Sequence, residues 1–421
     1  MMLYTWYGDD FTGSTDVLET LALAGVEAAL FLAPPTPARL GQFPGIQAIG
    51  IAGDSRSRSP EWMTHNLRDI YCTMRGFGAP LTHYKTCSTF DSAPHVGSIG
   101  RAIEIGREVF DTRFVPIVVG APHLGRYVVF GNLFATANGI AYRIDHHPTM
   151  NRHPVTPMLE ADLRKHLASQ TSLPIALIDL RSLSQEALNN ALDGGAAAIL
   201  FDTFDDTSIK VAGELVWNAA EATPIFGVGS SGLTKSMIPA WRSRGLIGEP
   251  REQIKAALVE QVLVVSGSCS PITEAQIEWA KSRGFVGIPL DADALIRQPE
   301  YPLATSVQAV QSGASPILYT AMGPLSGTDT PYAEELGKAL GHLLRAVLNN
   351  TDIRRIVLCG GDTSSHAVQQ LPIHALTWSA STSPGAPICR THSDDLHFDG
   401  LELILKGGQV GPVDFFGTVR R

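Results

Sequence analysis

Residues 2–27 read MLYTWYGDDFTGSTDVLETLALAGVE. An apolar run ends at Gly8, two adjacent aspartates follow, a Thr-Gly-Ser turn comes next, and Val17, Leu18, Leu21 and Leu23 then recur at helical spacing. This is a strand, a polar turn and an amphipathic helix, the opening unit of an α/β fold. Neighbouring carboxylates repel, so Asp9 and Asp10 need solvent, a cation, a donor or a substrate hydroxyl beside them.

The same alternation continues outward. EAALFL, IQAIGIAG (46–53), LTHYKTCS (81–88), FVPIVVGAP, IALIDL, AAAILFDT and PIFGVGSSGL (224–233) are short apolar runs ending in glycine or small polar residues. Helix-period stretches such as PEWMTHNLRDIYCTMRGFG separate them. A second series begins with QVLVVSGSCS (261–270) and proceeds through TEAQIEWAKSRG, FVGIPLD, SPILYTAMGP, a helix over about 332–349, RIVLCGGDTS and LELILKGGQVG. Between the series, RSRGLIGEPREQIKAA is charged and broken by Gly-Glu-Pro. The expected fold is therefore two α/β domains with largely parallel sheets facing an interdomain cleft: residues 1–241, a linker at 242–257, and residues 258–421. A chain of 421 residues is also longer than one core comfortably fills.

Composition narrows the function. Hydrophobic residues make up 44% and charged residues 17% of an ordinary globular chain, and a net charge of −9 argues against nucleic acid or an anionic membrane as partner. The five cysteines form no C-x-x-C pair, and the histidines show no zinc spacing. RIDHHPTMNRHPVTPM is rich in histidine, but its prolines point to an extended loop and no metal site is assigned. Asp9 and Asp10 interrupt the first apolar run too early for a signal peptide, so the expected location is cytoplasmic. Self-association into a homo-oligomer stays open.

Two kinds of polar cluster fall at strand ends, where ligands of parallel sheets collect. In the second half these are Ser266-Gly267-Ser268, Gly360-Gly361-Asp362-Thr363 and Lys406-Gly407-Gly408. Glycine permits close backbone approach to a phosphate, and a following helix presents free N–H groups. None of the three matches a P-loop or a dinucleotide fingerprint. In the first half, GIAGDSRSRSP supplies Asp54, Arg56 and Arg58, HYKTCSTFDSAPHVGSIG supplies Lys85, Ser88, Thr89 and Asp91, and GAPHLGRY supplies His123 and Arg126. Each charge alone reads as a solvated loop residue; together they suit a carboxylate-bearing, hydroxylated small molecule. Cys87 beside Lys85 reads as a packed thiol before it reads as a nucleophile, and Ser230-Ser231 lacks the G-x-S-x-G of a hydrolase elbow.

With these residues in view, the chain resembles the four-carbon acid sugar kinase family. The resemblance rests on GDDFTGSTD, YK…ST at 84–89, GR at 125–126, GVGSSGL, VSGSCSPIT, GGDTS and LKGGQVG, in the family's order. It implies an N-terminal domain that binds the sugar acid, a C-terminal domain that binds ATP, and Mg²⁺ on the phosphates. Transfer of the γ-phosphoryl to a sugar-acid hydroxyl would then use Asp9 and Asp10 as catalytic residues. The acid would be held by Arg56, Lys85, Ser88, Thr89, Asp91 and Arg126, and the nucleotide by Ser266, Gly267, Ser268, Gly360, Gly361, Asp362, Thr363 and Gly408. One departure stands out: members commonly carry Asp-Ser-Thr-Leu-Arg-Gly after the lysine, whereas here Cys87 replaces that aspartate and Asp91-Ser92 the Arg-Gly. This resembles a subgroup acting on a branched keto acid. A nucleotide-binding regulatory module without turnover and an NAD-dependent dehydrogenase of a hydroxy acid are the alternative readings.

Overall fold

The computed structural model describes residues 1–137, 139–153, 155–323 and 330–420, the side chains of residues 330, 331 and 362 excepted. The first half contributes strands β1 (Tyr4–Gly8), β2 (Ala28–Phe31), β3 (Ala48–Ala52), β4 (Leu81–Lys85) and β5 (Val115–Val118). There follow β6 (Arg126–Val129), β7 (Asn132–Ala137), β8 (Ile140–Arg143), β9 (Ile175–Ile178), β10 (Ala198–Phe201) and β11 (Ile225–Gly229). The second half contributes β12 (Leu263–Ser266), β13 (Phe285–Pro289), β14 (Ser315–Tyr319), β15 (Arg355–Cys359), β16 (Ala375–Ser383), β17 (Ala386–His392) and β18 (Glu402–Lys406).

Two compact units result. The first comprises Met1–Asp9, Thr20–Ala28 and Pro34–Arg251; the second comprises Asp10–Glu19, Ala29–Ala33 and Glu252–Arg421. The contact division thus passes between Asp9 and Asp10, and the first half of helix Phe11–Leu23 packs with the C-terminal residues. The later change of unit, at Arg251, lies inside the charged stretch 242–257.

In the first unit seven strands run parallel in the order β3-β1-β4-β11-β5-β10-β9. Their apolar runs are buried on both faces; every residue of β1, β3, β4, β5, β10 and β11 is buried. The register aligns Ala52, Gly8, Lys85 and Gly229 in one row. The loops opening at Gly53, Asp9, Thr86 and Ser230 therefore leave the same carboxyl edge. Helices Pro60–Gly76 and Ile99–Phe110 cover the sheet with Met63, Leu67, Tyr71, Ile103 and Phe110, and each starts on a serine cap, Ser59 or Ser98.

The second unit orders its strands β13-β14-β12-β15-β18-β17-β16-β2. The first five are parallel, and Tyr319, Ser266, Cys359 and Lys406 share one register row. Strands β17, β16 and β2 continue antiparallel. The hairpin β16–β17, turning through Gly385 at φ +80°, and the three-stranded antiparallel sheet β6-β7-β8 are elements that the strand–helix reading did not anticipate. The stretch 143–158 is not simply extended either: Ile144–His146 and Met150–Arg152 form short 3-10 turns. Among the described residues, no helix is long and apolar enough to cross a membrane.

Candidate functional site

In the second unit the register row brings the three glycine-bearing loops together. The N–H of Gly267 donates to Cys359 O at 3.2 Å, and that of Gly360 to Lys406 O at 2.9 Å. A Cβ on Gly267 would lie 2.4 Å from Thr363 Oγ1, and one on Gly408 would lie 2.8 Å from Ser268 Oγ. Gly360 holds φ +106° and faces Ser268, whose backbone N would be 3.3 Å from an added Cβ. Glycine is thus favoured at 267 by the close approach of Thr363 and at 360 by conformation, while 408 lies against the Ser268 hydroxyl. Ser266, Gly267, Ser268, Gly360, Gly361, Thr363 and Gly408 are all brought into one cradle; Asp362 lies within helix Gly361–Val368, but its side chain is outside the described residues.

Thr273 and Lys406 brace this cradle. Lys406 Nζ donates to Thr273 Oγ1 and to Gly407 O, both at 3.1 Å, and Thr273 Oγ1 donates to Gly408 O at 3.0 Å. Burial pushes the Lys406 ammonium below its ordinary range. Burial likewise raises the Cys359 thiol to about 11, so this cysteine is a packing group and not a thiolate. Thr273 closes the VSGSCSPIT run in the first turn of helix Pro271–Lys281, but it was not among the residues expected to hold the nucleotide.

Asp10 belongs to the same unit. Its Oδ1 accepts the N–H of Gly13 at 2.5 Å and the hydroxyl of Thr12 at 3.2 Å, capping helix Phe11–Leu23. The N–H of Phe11 donates to Ser365 Oγ at 3.3 Å, and Asp10 Oδ2 would sit 3.8 Å from a Cβ on Gly361. The carboxylate is therefore held at the start of helix Gly361–Val368, beside the glycine cradle.

The first unit gathers the other cluster along the carboxyl edge of its sheet. Asp9 is buried; its N–H donates to Lys85 O at 2.9 Å, and its carbonyl accepts from the N–H of Arg56 at 3.1 Å. Lys85 is buried at the end of β4. Arg56 Nη2 meets Asp91 Oδ2 at 2.6 Å, and Asp91 also accepts from Thr89 Oγ1 at 2.5 Å and Thr156 Oγ1 at 3.0 Å. Burial alone would raise the Asp91 carboxyl, but Arg56, His153 and the two hydroxyls outweigh it and hold the group at about 2. Asp91 and Thr89 are thus engaged with protein groups and fix Arg56. Ser88 is half-buried on the same loop, and the Thr89 hydroxyl also lies 3.0 Å from Cys87 Sγ. Asp54 is held by Arg58 Nε at 3.0 Å.

Arg126, at the start of β6, directs Nη1 to the carbonyls of Leu124, Gly125 and Thr136 at 2.9, 3.3 and 3.3 Å. Burial moves its guanidinium below the ordinary arginine range, the neighbouring Cys87 acting in the opposite sense. Thr156, which steadies Asp91 from 65 positions away, could not have been found from the sequence. Among the described residues, no group of three histidines, cysteines or acids forms a metal cluster.

Comparison with known proteins divides the chain by sequence, leaving Asp10–Glu19 and Ala29–Ala33 in the first part. Residues 4–237 match a sugar-binding N-terminal domain model and residues 263–416 a nucleotide-binding C-terminal domain model. The chain is 43% identical over 443 aligned positions to a 3-oxo-isoapionate kinase of Paraburkholderia graminis, covering 100% of this chain and 94% of that protein. It is 28% identical to a 3-oxo-tetronate kinase of Methylobacterium radiotolerans, covering 97% and 96% of the two chains. A solved Haemophilus influenzae protein shares the fold, with a TM-score of 0.72 at 23% identity over 99% of both chains.

Proposed function

The chain belongs to the four-carbon acid sugar kinase family, and from that premise we propose that it phosphorylates a hydroxyl of a branched 3-oxo sugar acid of the 3-oxo-isoapionate type with ATP. The observation that carries the nucleotide half of this reading is the cradle at Gly267, Gly360 and Gly408, where added methyl groups would meet protein atoms or a strained φ. The acceptor half draws on full-length similarity to the Paraburkholderia graminis enzyme, with 3-oxo-tetronate as the next substrate to try.

Phosphoryl transfer needs alignment and charge stabilisation more than covalent help. Bound ATP with Mg²⁺ would supply the transferable phosphoryl group and neutralise its charge. The glycine loops fit the phosphates, because their backbones can approach closely and helices Pro271–Lys281 and Gly361–Val368 begin there. The described residues form no three-ligand acidic cluster, which suits an ion held chiefly by phosphate and water. Asp9, among the residues of the sugar-binding half, accepts the hydrogen bond and the proton of the attacking hydroxyl. Asp10, oriented by Gly13 and placed against Gly361, serves the nucleotide side. Arg56, clamped by Asp91, and Lys85 meet the developing negative charge.

ADP release should be measured across four-carbon and branched five-carbon acids, oxidised and unoxidised. The expected result is turnover of 3-oxo acids, with Asp9→Asn and Asp10→Asn each losing about a hundredfold or more in kcat. Asp9→Asn should weaken the acid and Asp10→Asn the nucleotide. Activity within a few-fold of wild type in both variants would remove the aspartates from the mechanism.

A further inference from the structure

Helix Phe11–Leu23 follows Asp10; its residues as far as Glu19 belong to the second unit, and Thr20–Leu23 belong to the first. Two hydrogen bonds tie the part in the second unit to residues 354 and 362 positions away. At the start of the helix the N–H of Phe11 donates to Ser365 Oγ at 3.3 Å, and the Ser365 hydroxyl donates in turn to Gly361 O at 2.9 Å. One hydroxyl thus links Phe11 to the first residue of helix Gly361–Val368, the residue that Asp10 Oδ2 faces. About two turns further on, Ser381 Oγ donates to Glu19 Oε1 at 2.7 Å. The register of β16 against β17 slips between Ala380 and Ser383, which takes Ser381 out of the ladder. Its N–H turns to Ile254 O at 3.2 Å and its hydroxyl to Glu19.

Packing alone does not account for a carboxyl at position 19. Val17, Leu18 and Leu21 of the same helix are fully buried, and Glu19 is itself only 7% exposed. Asp16 on its own helix adds a like charge, and the Cys389 thiol on β17 lies close enough for Glu19 to push it further up. Burial raises the Glu19 carboxyl to about 7 against the opposing bonds from Ser381 and the Gly385 N–H. A leucine would be buried there at lower cost, so the carboxyl is accounted for by the hydrogen bonds it accepts and not by its charge.

Resting on the kinase reading above, we infer that Ser365, Glu19 and Ser381 are positioning residues for phosphoryl transfer: they clamp helix Phe11–Leu23 at two points and so hold Asp10 against Gly361. Phe11 and Glu19 stand about 12 Å apart along the helix axis. One anchor would let the helix pivot, whereas two anchors at that spacing fix both its position and its direction. The clamped segment has residues of the first unit on either side of it, Asp9 before and Thr20 after, so its place beside the glycine cradle depends on bonds of this kind. Transfer is sensitive to such alignment, and these three side chains act on it only through Asp10.

Ser365→Ala, Ser381→Ala, Glu19→Leu and Glu19→Gln should be made in the full-length chain, each alone and together with Asp10→Asn, and assayed by ADP release. The first three should each lower kcat about fivefold or more and raise KM for ATP, with KM for the acid within about twofold. Glu19→Gln, which keeps a carbonyl oxygen for the Ser381 hydroxyl, should stay within about threefold of wild type. In the Asp10→Asn background the same substitutions should change kcat by less than about twofold, because their effect passes through the missing carboxylate. Thermal melting checks that each variant folds; the serine variants remove only hydroxyls and carry the test should Glu19→Leu melt early. Values within twofold of wild type in both serine variants overturn the clamp. So does a loss of equal size with and without Asp10→Asn, or a loss in Glu19→Gln as large as in Glu19→Leu. Should wild type release no ADP with any acid, the kinase reading falls, and the clamp is judged by the thermal shift that MgADP gives. The first three variants should then reduce that shift and Glu19→Gln keep it; an equal shift in all four overturns the clamp, and a wild type with no shift ends both.

Discussion

Replacing Asp91 by asparagine tests how the sugar-side cluster is held. The Asp91 side chain is fully buried, 2.6 Å from the Arg56 guanidinium, with Thr89 and Thr156 donating to it. Its carboxyl titrates at about 2 in the fold, against an ordinary 3.8. That depression of nearly two units corresponds to about 2.5 kcal/mol of stability. Because the folded value is the lower one, the contribution is full above the unfolded value near pH 4 and drains away as pH falls toward 2. Asp91→Asn keeps the shape but removes the carboxylate charge that faces Arg56 at 2.6 Å, so it should lose about the same 2.5 kcal/mol at pH 6. Urea unfolding of both proteins, followed by tryptophan fluorescence, measures the gap; Trp6, Trp217 and Trp241 are buried in the same unit. Between pH 6 and pH 3 the gap should narrow by about 1 kcal/mol. A gap that is equal at both pH values, or below about 0.5 kcal/mol throughout, would refute the reasoning that this ion pair holds Arg56 in place.

Two further outcomes follow from the geometry. Gly267→Ala would drive a methyl group to 2.4 Å from Thr363 Oγ1 and 2.7 Å from Thr363 Cγ2, so KM for ATP should rise about tenfold or more, with partial recovery when Thr363→Ala is added. An unchanged KM for ATP would show that the two loops do not jointly hold the nucleotide. His83, buried between Tyr4 and Gly229 O at 2.7 and 3.0 Å, is held by burial at about 3. Its folded value lies below the ordinary 6.5, so its contribution is complete above that value and declines as pH falls. Stability should drop by about 1.5 kcal/mol between pH 6.5 and pH 5 from this residue, and His83→Gln should remove that part of the slope in urea titrations.

Much of the architecture was legible because parallel strands declare themselves locally. A run such as YTWYG or RIVLC is mostly apolar without alternation and is buried at every position, since both of its faces are covered. The hairpin β16–β17 and the sheet β6-β7-β8 were not, because half-buried strands such as ALTWSASTS mix polar and apolar residues as loops do. The glycine loops were legible for a similar reason: close backbone approach demands glycine wherever it happens, and the demand is written at that position.

The chain by itself therefore determined the alternation of strands and helices, the places where each sheet edge would turn polar, and the chemical kinds gathered there. Only the tertiary structure decided which of those groups are spent on the protein and which are left over. Asp91 reads as a ligand but is engaged with Arg56 and Thr156, Asp10 packs in a different unit from Asp9, and Ser231, in the GVGSSGL run, keeps a buried hydroxyl with no hydrogen-bond partner among the described residues. Propensity and capping act over a few residues, but a hydrogen bond between positions 91 and 156, or its absence at 231, exists only once distant segments have been brought to the same edge of a sheet.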